Sequence, residues 1–275
     1  MAVRVKICGI TNPRDAEAAI DAGADALGFI LYEKSKRFIR IEDAIRMVEA
    51  LPPFVQTVAV TVNATKEFTN LGWRKQLKNF NIAQLHGEES PAHVRAVSKY
   101  LPVIKVLPAG RRIAAPVNTA PVLEEVIVAT QKVKDARQQM KAETGRQPTL
   151  DEVTRAMGLP NDPVHPAVQL MQEPNAYGEM LPADYEPLVT AFLLDTPSKD
   201  RGGTGQAFDW GIAVDFKQRV RKPLILSGGL TPDNVAKAIA VVAPYAVDVA
   251  SGVESAPGRK DHAKLRDFIQ ACKSS

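Results

Sequence analysis

Cysteine is almost absent from this 275-residue chain, which holds only Cys8 and Cys272. Two thiols near opposite ends give neither a disulfide framework nor the paired spacing of a zinc site, so a reducing, cytoplasmic setting without a structural metal is expected. Long apolar runs are missing too: none approaches the about 18 residues that a membrane span requires. The N-terminus enters a strand-like run with no basic-then-apolar leader, so no signal peptide is expected. There is no strong excess of one charge. A net charge of +4 suits an anionic small molecule as well as nucleic acid and does not decide between them. No Gly-x-Gly-x-x-Gly follows the first strand-like run, which argues against an open doubly wound sheet. What remains is ordinary globular composition, 45% hydrophobic and 24% charged, with length for one large domain or two small ones.

Strand-like and helix-like runs alternate along the chain. Val3–Ile7, Ala26–Leu31, Thr57–Val62, Ile82–His86 and Val103–Leu107 read as strands, followed far downstream by Ala191–Asp195, Leu224–Ser227 and Val247–Ala250. Helices are expected over Asp15–Ala22, with Thr11 or Asn12 able to cap, Pro13 at a first-turn position and Gly23 as its stop, Glu42–Ala50 before Pro52-Pro53, Lys66–Phe80, from Ser90-Pro91, from Thr231-Pro232, and over Asp261–Ala271. Eight strand–helix units is the count that closes a parallel barrel, so a (β/α)8 barrel is expected, with residues 1–275 as one domain.

One connection breaks the rhythm. Residues 109–186 are far longer than the βα spacings before them, and on the barrel reading form a helical insertion after strand five, on the face where chemistry is done. Within it Ala120–Lys141 has near-helical apolar spacing, and Thr149-Leu150-Asp151-Glu152 reads as a capping box for a short helix stopping at Gly158. Pro160, Pro163 and Pro166 follow, and Ala167–Met171 allows another turn or two of helix. Gly145–Val153, with Met157-Gly158-Leu159-Pro160 and Gln172-Glu173-Pro174, resembles the helical third conserved region of bacterial sigma factors. That resemblance implies a contact surface for DNA or a protein, helped by Lys132, Lys134, Arg137, Lys141 and Arg146. The plainer reading is a solvated helical insertion, since basic residues on a helix usually face water.

Chemistry-bearing residues gather just after strand ends. Cys8 stands where the first strand gives way to its loop; it is either a small buried hydrophobe or a thiol at the reactive face. Asp195 ends an apolar strand, where a carboxylate is costly unless it reaches the mouth or finds a partner, so it is either a cap or a general acid or base. The loop after it holds Gly202-Gly203-Thr204-Gly205, a lid or an ordinary turn. Ser227-Gly228-Gly229 and Ala250-Ser251-Gly252-Val253 follow consecutive strands. With a helix start near Glu254, their backbone N–H groups would cradle a phosphate. Arg37, if it points inward, presents a planar fork suited to a carboxylate. Gln84 and His86, at the end of strand four, are polar groups facing the mouth, although a satisfied structural histidine is also consistent.

Taken together these pieces resemble the phosphoribosylanthranilate isomerase family. They are Lys6–Thr11, Gly28-Phe29 with Ser35-Lys36-Arg37, Gln84–Gly87, Leu194-Asp195 with Gly202–Trp210, Leu226–Leu230, Asp248–Glu254 and Pro257–Asp261. The resemblance spans residues 3–108 and about 188–270 and leaves out the long connection, which is short in the family. It implies a cofactor-free Amadori rearrangement of N-(5-phosphoribosyl)anthranilate in tryptophan biosynthesis. Asp195 would be the general acid that opens the ring, and Cys8 the general base at C2, partly exposed near positive potential. Arg37 would take the anthranilate carboxylate, and the backbone at Gly228, Gly229, Ser251 and Gly252 the phosphate. Gln84, His86, Gly203 and Asp248 are further expected substrate contacts. The partner implied is a small phosphorylated molecule, with no membrane and no nucleic acid, acting as a monomer or homodimer. A histidine-pathway sugar-phosphate isomerase shares the phosphate loops but has Asp at the place of Cys8. A barrel scaffold whose insertion contacts DNA or a transcription partner is the reading from another class.

Overall fold

The computed structural model describes residues 3–64, 71–109, 139–143, 146, 152, 182–196 and 208–274. Eight parallel strands close into a barrel in sequence order: β1 (Arg4–Cys8), β2 (Ala26–Ile30), β3 (Gln56–Thr61), β4 (Ile82–Leu85), β5 (Val103–Pro108), β6 (Ala191–Asp195), β7 (Leu224–Leu226) and β8 (Ala246–Val249). β1 pairs with β2 on one side and with β8 on the other, which closes the ring and excludes an open sheet.

The helices outside the ring are α1 (Pro13–Asp21), α2 (Ile41–Glu49), α3 (Leu71–Leu77), α4 (Pro91–Ser98), α5 (Pro182–Tyr185), α6 (Trp210–Arg219), α7 (Val235–Val242) and α8 (His262–Lys273). Several starts follow the expected chemistry. Asn12 caps α1 by accepting from Asp15 N at 3.0 Å, with Pro13 following it, and Ser90 caps α4 ahead of Pro91. Asp261 caps α8 through Ala263 N and Lys264 N. Two helices differ from expectation. α7 begins at Val235 rather than at Thr231-Pro232, because Asn234 accepts from Thr231 N and donates to Gly229 O, holding those residues in a turn. α3 ends at Leu77, three residues short of Phe80, and the expected start at Lys66 lies outside the described residues.

Inward and outward positions alternate along each strand. Ile104, Val106, Ala191, Leu193, Ile225 and Ala246 pack together inside the ring, and Cys8, Val58 and Val60 form a second inner cluster with Ala26 and Ile30. The other parity faces the helices. Val5, Ile7, Leu27, Phe29, Phe192 and Leu194 are wholly buried there, and Phe192 meets Phe216 of α6 edge-on at 5.5 Å.

The chain divides into two compact units, residues 1–111 with 182–275, and residues 112–181. In the second, residues 139–143 are helical, two of them beyond the expected Lys141, and Arg146 is ion-paired with Glu152. The rest of the helices expected between 120 and 171 lies outside the described residues. No described helix is long and apolar enough to cross a membrane.

Candidate active site

A cleft of about 460 Å³ opens at the C-terminal ends of the strands. Cys8 enters it from β1 and Arg37 from the loop after β2. Gln84 and His86 come from the end of β4, Asp195 from β6, Gly228 and Gly229 from the loop after β7, and Asp248, Ser251 and Gly252 from β8 and its loop. Every expected site residue among the described residues therefore lines one cleft; Gly203 and its lid lie outside them. A larger groove of about 680 Å³ runs between α1 and α2. Its cations Arg40 and Arg46 pair with its own Asp43, so it gathers no free reactive set there.

Cys8 is the last residue of β1 and is only 5% exposed, not partly exposed as expected. Burial pushes its thiol up from the ordinary value, against the positive charge of Lys6 and Lys260, with the Asp248 carboxylate adding to the upward push. Positive potential is thus present, but desolvation outweighs it. Lys6, two residues back on the same face, is buried with its Nζ 2.8 Å from Asp248 Oδ1, and Asp248 Oδ2 accepts from Ser227 Oγ at 3.3 Å. Burial works against the Lys6 charge, yet Asp248 and Cys8 outweigh it and hold the ammonium above its ordinary value.

Asp195 does not stand alone, and the loop it was expected either to cap or to pair with lies outside the described residues. Its Oδ1 accepts from Thr196 N at 2.9 Å, and its Oδ2 lies 3.3 Å from His86 Nε2. His86 is therefore partnered, and its partner is the other candidate acid. Behind it, Lys105 is wholly buried and donates to Gly87 O at 2.7 Å, Glu89 Oε2 at 3.0 Å and Leu85 O at 3.3 Å, which fixes the loop carrying His86. Gln84 is 1% exposed, and its Oε1 has no hydrogen-bond partner.

Arg37 does point inward, but a protein carboxylate already holds one edge of its fork. Its Nε donates to Glu254 Oε1 at 2.8 Å and its Nη2 to Glu254 Oε2 at 2.6 Å. The Nη1 protons stay outside that clamp. Glu254 is not the expected helix start. One 3-10 turn, Ser251–Val253, leads into a short strand, β9 (Glu254–Ala256), which pairs with β10 (Arg259–Lys260). The extended backbone aims the Glu254 carboxylate at Arg37 and Lys260. Burial pushes that carboxyl up, but these two cations override it and hold it below the usual range. Lys260 Nζ also donates to Cys8 O at 2.7 Å and Ala250 O at 3.1 Å, tying the ends of β1 and β8 together.

The glycine loops are shaped by close approach. A β-carbon on Gly252 would stand 1.8 Å from Leu230 O, so only glycine lets the loop after β8 lie against the loop after β7. Gly228 and Gly229 have φ of +87° and +64°, the left-handed region in which glycine is unstrained.

Sequence reasoning passed over Lys6, Glu254 and Lys260 as site residues, and read Ser227 only as part of a backbone cradle. A signal for Lys6 was available, since residues two apart on a strand share a face. None existed for Glu254 and Lys260, whose roles come from a short hairpin. Among the described residues no group of three or more His, Cys, Asp or Glu is placed to hold a metal.

Comparison with known proteins bears on the same residues. The family model for N-(5'phosphoribosyl)anthranilate (PRA) isomerase matches residues 5–138 and 152–271. The N-(5'-phosphoribosyl)anthranilate isomerase of Geobacter sp. (strain M21) is 39% identical over 271 residues, covering 98% of both chains. The crystal structure of phosphoribosyl anthranilate isomerase from Thermotoga maritima matches 99% of this chain and 100% of its own, at 35% identity and a TM-score of 0.66. A phosphoribosyl anthranilate isomerase solved with reduced 1-(o-carboxyphenylamino)-1-deoxyribulose 5-phosphate matches over the same shares, at 33% identity and a TM-score of 0.63. Nothing in these comparisons supports the likeness of 145–160 and 172–174 to a sigma-factor region, and Arg146, expected on its contact surface, is engaged with Glu152. The chain belongs to the N-(5'-phosphoribosyl)anthranilate isomerase family.

Proposed function

We propose that this chain isomerises N-(5'-phosphoribosyl)anthranilate to 1-(2-carboxyphenylamino)-1-deoxyribulose 5-phosphate, a step of tryptophan biosynthesis, by acid–base chemistry without a cofactor. The observation that carries the reading is the convergence of Cys8 and Asp195, on β1 and β6, in one cleft bordered by the glycine loops after β7 and β8. Asp195 gives a proton to the furanose ring oxygen as the C1–O bond breaks, and the nitrogen lone pair forms C1=N. Cys8, as thiolate, takes the proton from C2. That C–H pair becomes C1=C2, and the C=N electrons return to nitrogen. The enolamine then becomes the ketone as its hydroxyl proton leaves and C1 gains one. His86, 3.3 Å from Asp195, holds that carboxyl group in place at the mouth of the cleft.

The substrate's two anions go to opposite ends of the cleft. The phosphate sits against the backbone at Gly228, Gly229, Ser251 and Gly252, where absent side chains admit its oxygens. The anthranilate carboxylate faces the edge of Arg37 that Glu254 leaves open. Gln84 Oε1, buried without a partner among the described residues, accepts from a substrate N–H or hydroxyl. Asp248 acts one step back, through Lys6. In this reading residues 112–181 are an insertion into a single barrel, the small phosphorylated substrate is the partner, and the enzyme works in the cytoplasm as a monomer or homodimer.

The test is turnover of N-(5'-phosphoribosyl)anthranilate by purified protein, followed by the fluorescence of the anthranilate group. Substrate-dependent signal well above that of the Asp195→Asn variant is expected. Equal rates in the two would refute the assignment.

A further inference from the structure

We propose that Lys6 is the positioning residue of the Cys8 base: its buried ammonium supplies the positive charge against which the thiol ionises, and β2 carries glycine at position 28 to leave room for the pair. The inference rests on the reading of Cys8 as the base. Lys6 and Cys8 stand two residues apart on β1 and share its inward face. Lys6 is 3% exposed, so water does not disperse its charge. Asp248 Oδ1 anchors its Nζ at 2.8 Å, and Ser227 Oγ in turn holds the other carboxylate oxygen at 3.3 Å.

Gly28 stands beside both groups, in register with Cys8 across the strand pair. A β-carbon there would lie 2.9 Å from Cys8 Sγ and 3.0 Å from Lys6 Nζ, so any side chain would push into the space the two atoms share. Its φ is not among the positive ones, so room and not backbone freedom is what the position requires.

The other charges around Cys8 do not replace Lys6. Lys260 Nζ has three acceptors for its three protons, namely Cys8 O, Ala250 O and Glu254 Oε1, and none is the thiol. The Arg37 guanidinium is clamped by Glu254. Asp248 opposes a thiolate, and only its pairing with Lys6 makes it tolerable there. Lys6 is therefore the cation whose loss the thiolate would feel most.

The experiment titrates the thiolate by its ultraviolet absorbance in Lys6→Met and Gly28→Ala, in a Cys272→Ser background and referenced to Cys8→Ser. For Lys6→Met the midpoint should rise by about one to three pH units, the size expected for losing an adjacent opposite charge. The acid limb of kcat/KM should move up with it, with kcat falling and KM changing little. Gly28→Ala, which keeps every charge and spoils only the approach, should shift the midpoint the same way by a smaller amount. An unchanged midpoint in folded Lys6→Met overturns the proposal. If that variant does not fold, an unchanged midpoint in Gly28→Ala overturns it. The titration needs no substrate, so it separates two failures. A shifted midpoint in a protein that does not turn over the phosphoribosyl substrate refutes the reaction, whereas normal turnover with an unshifted midpoint refutes the role of Lys6.

Discussion

Replacing Lys105 by Met tests how far a buried ion pair outside the cleft governs the loop that carries His86. The change keeps an unbranched side chain of similar reach and removes the ammonium, with its charge and its hydrogen-bond donors. The ammonium has no exposed surface and serves Glu89 Oε2, Gly87 O, Val106 O and Leu85 O at 2.7 to 3.3 Å. Without it, a Glu89 carboxylate with 1% side-chain exposure stays buried, held by backbone N–H groups that include those of Asn63 and Gly87 at 2.9 to 3.0 Å. Breaking one side of such a pair costs about 3–5 kcal/mol. The remaining backbone donors place the expected value near the lower end, about 3 kcal/mol, which in a domain of this size lowers Tm by roughly 10 °C.

The pH dependence carries the sharper test. Burial pushes the Glu89 carboxyl up, but Lys105 and the backbone of Asn63 override it and hold it below the ordinary 4.5. Its contribution to native stability is therefore complete above about pH 4.5, the unfolded value, and fades as pH falls through the lower folded value. In Lys105→Met the burial remains and the counter-charge is gone, so the folded pKa lies above the unfolded one. The variant is then penalised at neutral pH and relieved as Glu89 takes up a proton. Urea unfolding at pH 7 and near pH 4.5 should show the gap between native protein and variant shrinking on acidification. A gap below about 1 kcal/mol at pH 7, or one that does not change with pH, would refute the electrostatic account.

Three further outcomes are expected. Cys8→Ser should lower kcat by about 10²–10⁴-fold with an unchanged circular dichroism spectrum, since a hydroxyl is a poor base at neutral pH; near-native kcat would remove Cys8 from that role. Gly252→Ala should raise KM for the phosphorylated substrate at least tenfold, because its β-carbon would meet Leu230 O and must part the two phosphate loops; an unchanged KM in that variant would show that the loops do not hold the phosphate. Excising residues 112–181 and joining 111 to 182 by a short Gly-Ser linker should leave a barrel that unfolds cooperatively in urea, and a molten product would show that the segment belongs to the core.

The ring and its order were legible because each unit announces itself locally, through an apolar run, a cap and a stop. Ala191–Asp195 was placed to the residue, and Asn12-Pro13 and Ser90-Pro91 marked true helix starts. The expected site residues within the described chain share one cleft because loops after parallel strands converge whatever their sequence. Partners were not legible. Nothing local tells that Glu254, far along the chain, occupies Arg37, or that His86 faces Asp195. The misplaced start of α7 has the same origin. Thr231-Pro232 has the composition of a helix start, but Asn234 reaches back to Gly229 O and spends those residues on a turn beside the cleft.

β1 shows why the buried charges escaped notice. Val3-Arg4-Val5-Lys6-Ile7 alternates, and in an ordinary half-buried strand the Arg and Lys face would meet water. In a barrel wrapped by helices both faces are covered, and the apolar parity goes outward: Val5 and Ile7 are fully buried on the helix side, while Lys6 and Cys8 face the axis. The same parity runs round the ring. Ile82 and Gln84, Leu193 and Asp195, Ile225 and Ser227, and Ala246 and Asp248 each step from an apolar inward residue to a polar one toward the C-terminal end. The apolar member of each pair packs the interior, and the polar member rises into the cleft. Such polar groups are costly inside a protein unless partnered, and the partners run between strands: Lys6 with Asp248, Asp248 with Ser227, Asp195 with His86. On these four strands the inward position near the C-terminal end is thus where a polar group is carried at a cost in stability. In a strand of this barrel type, a polar residue at or next to its C-terminal end, on the parity opposite the most apolar face, is the sequence sign of a residue in the cleft.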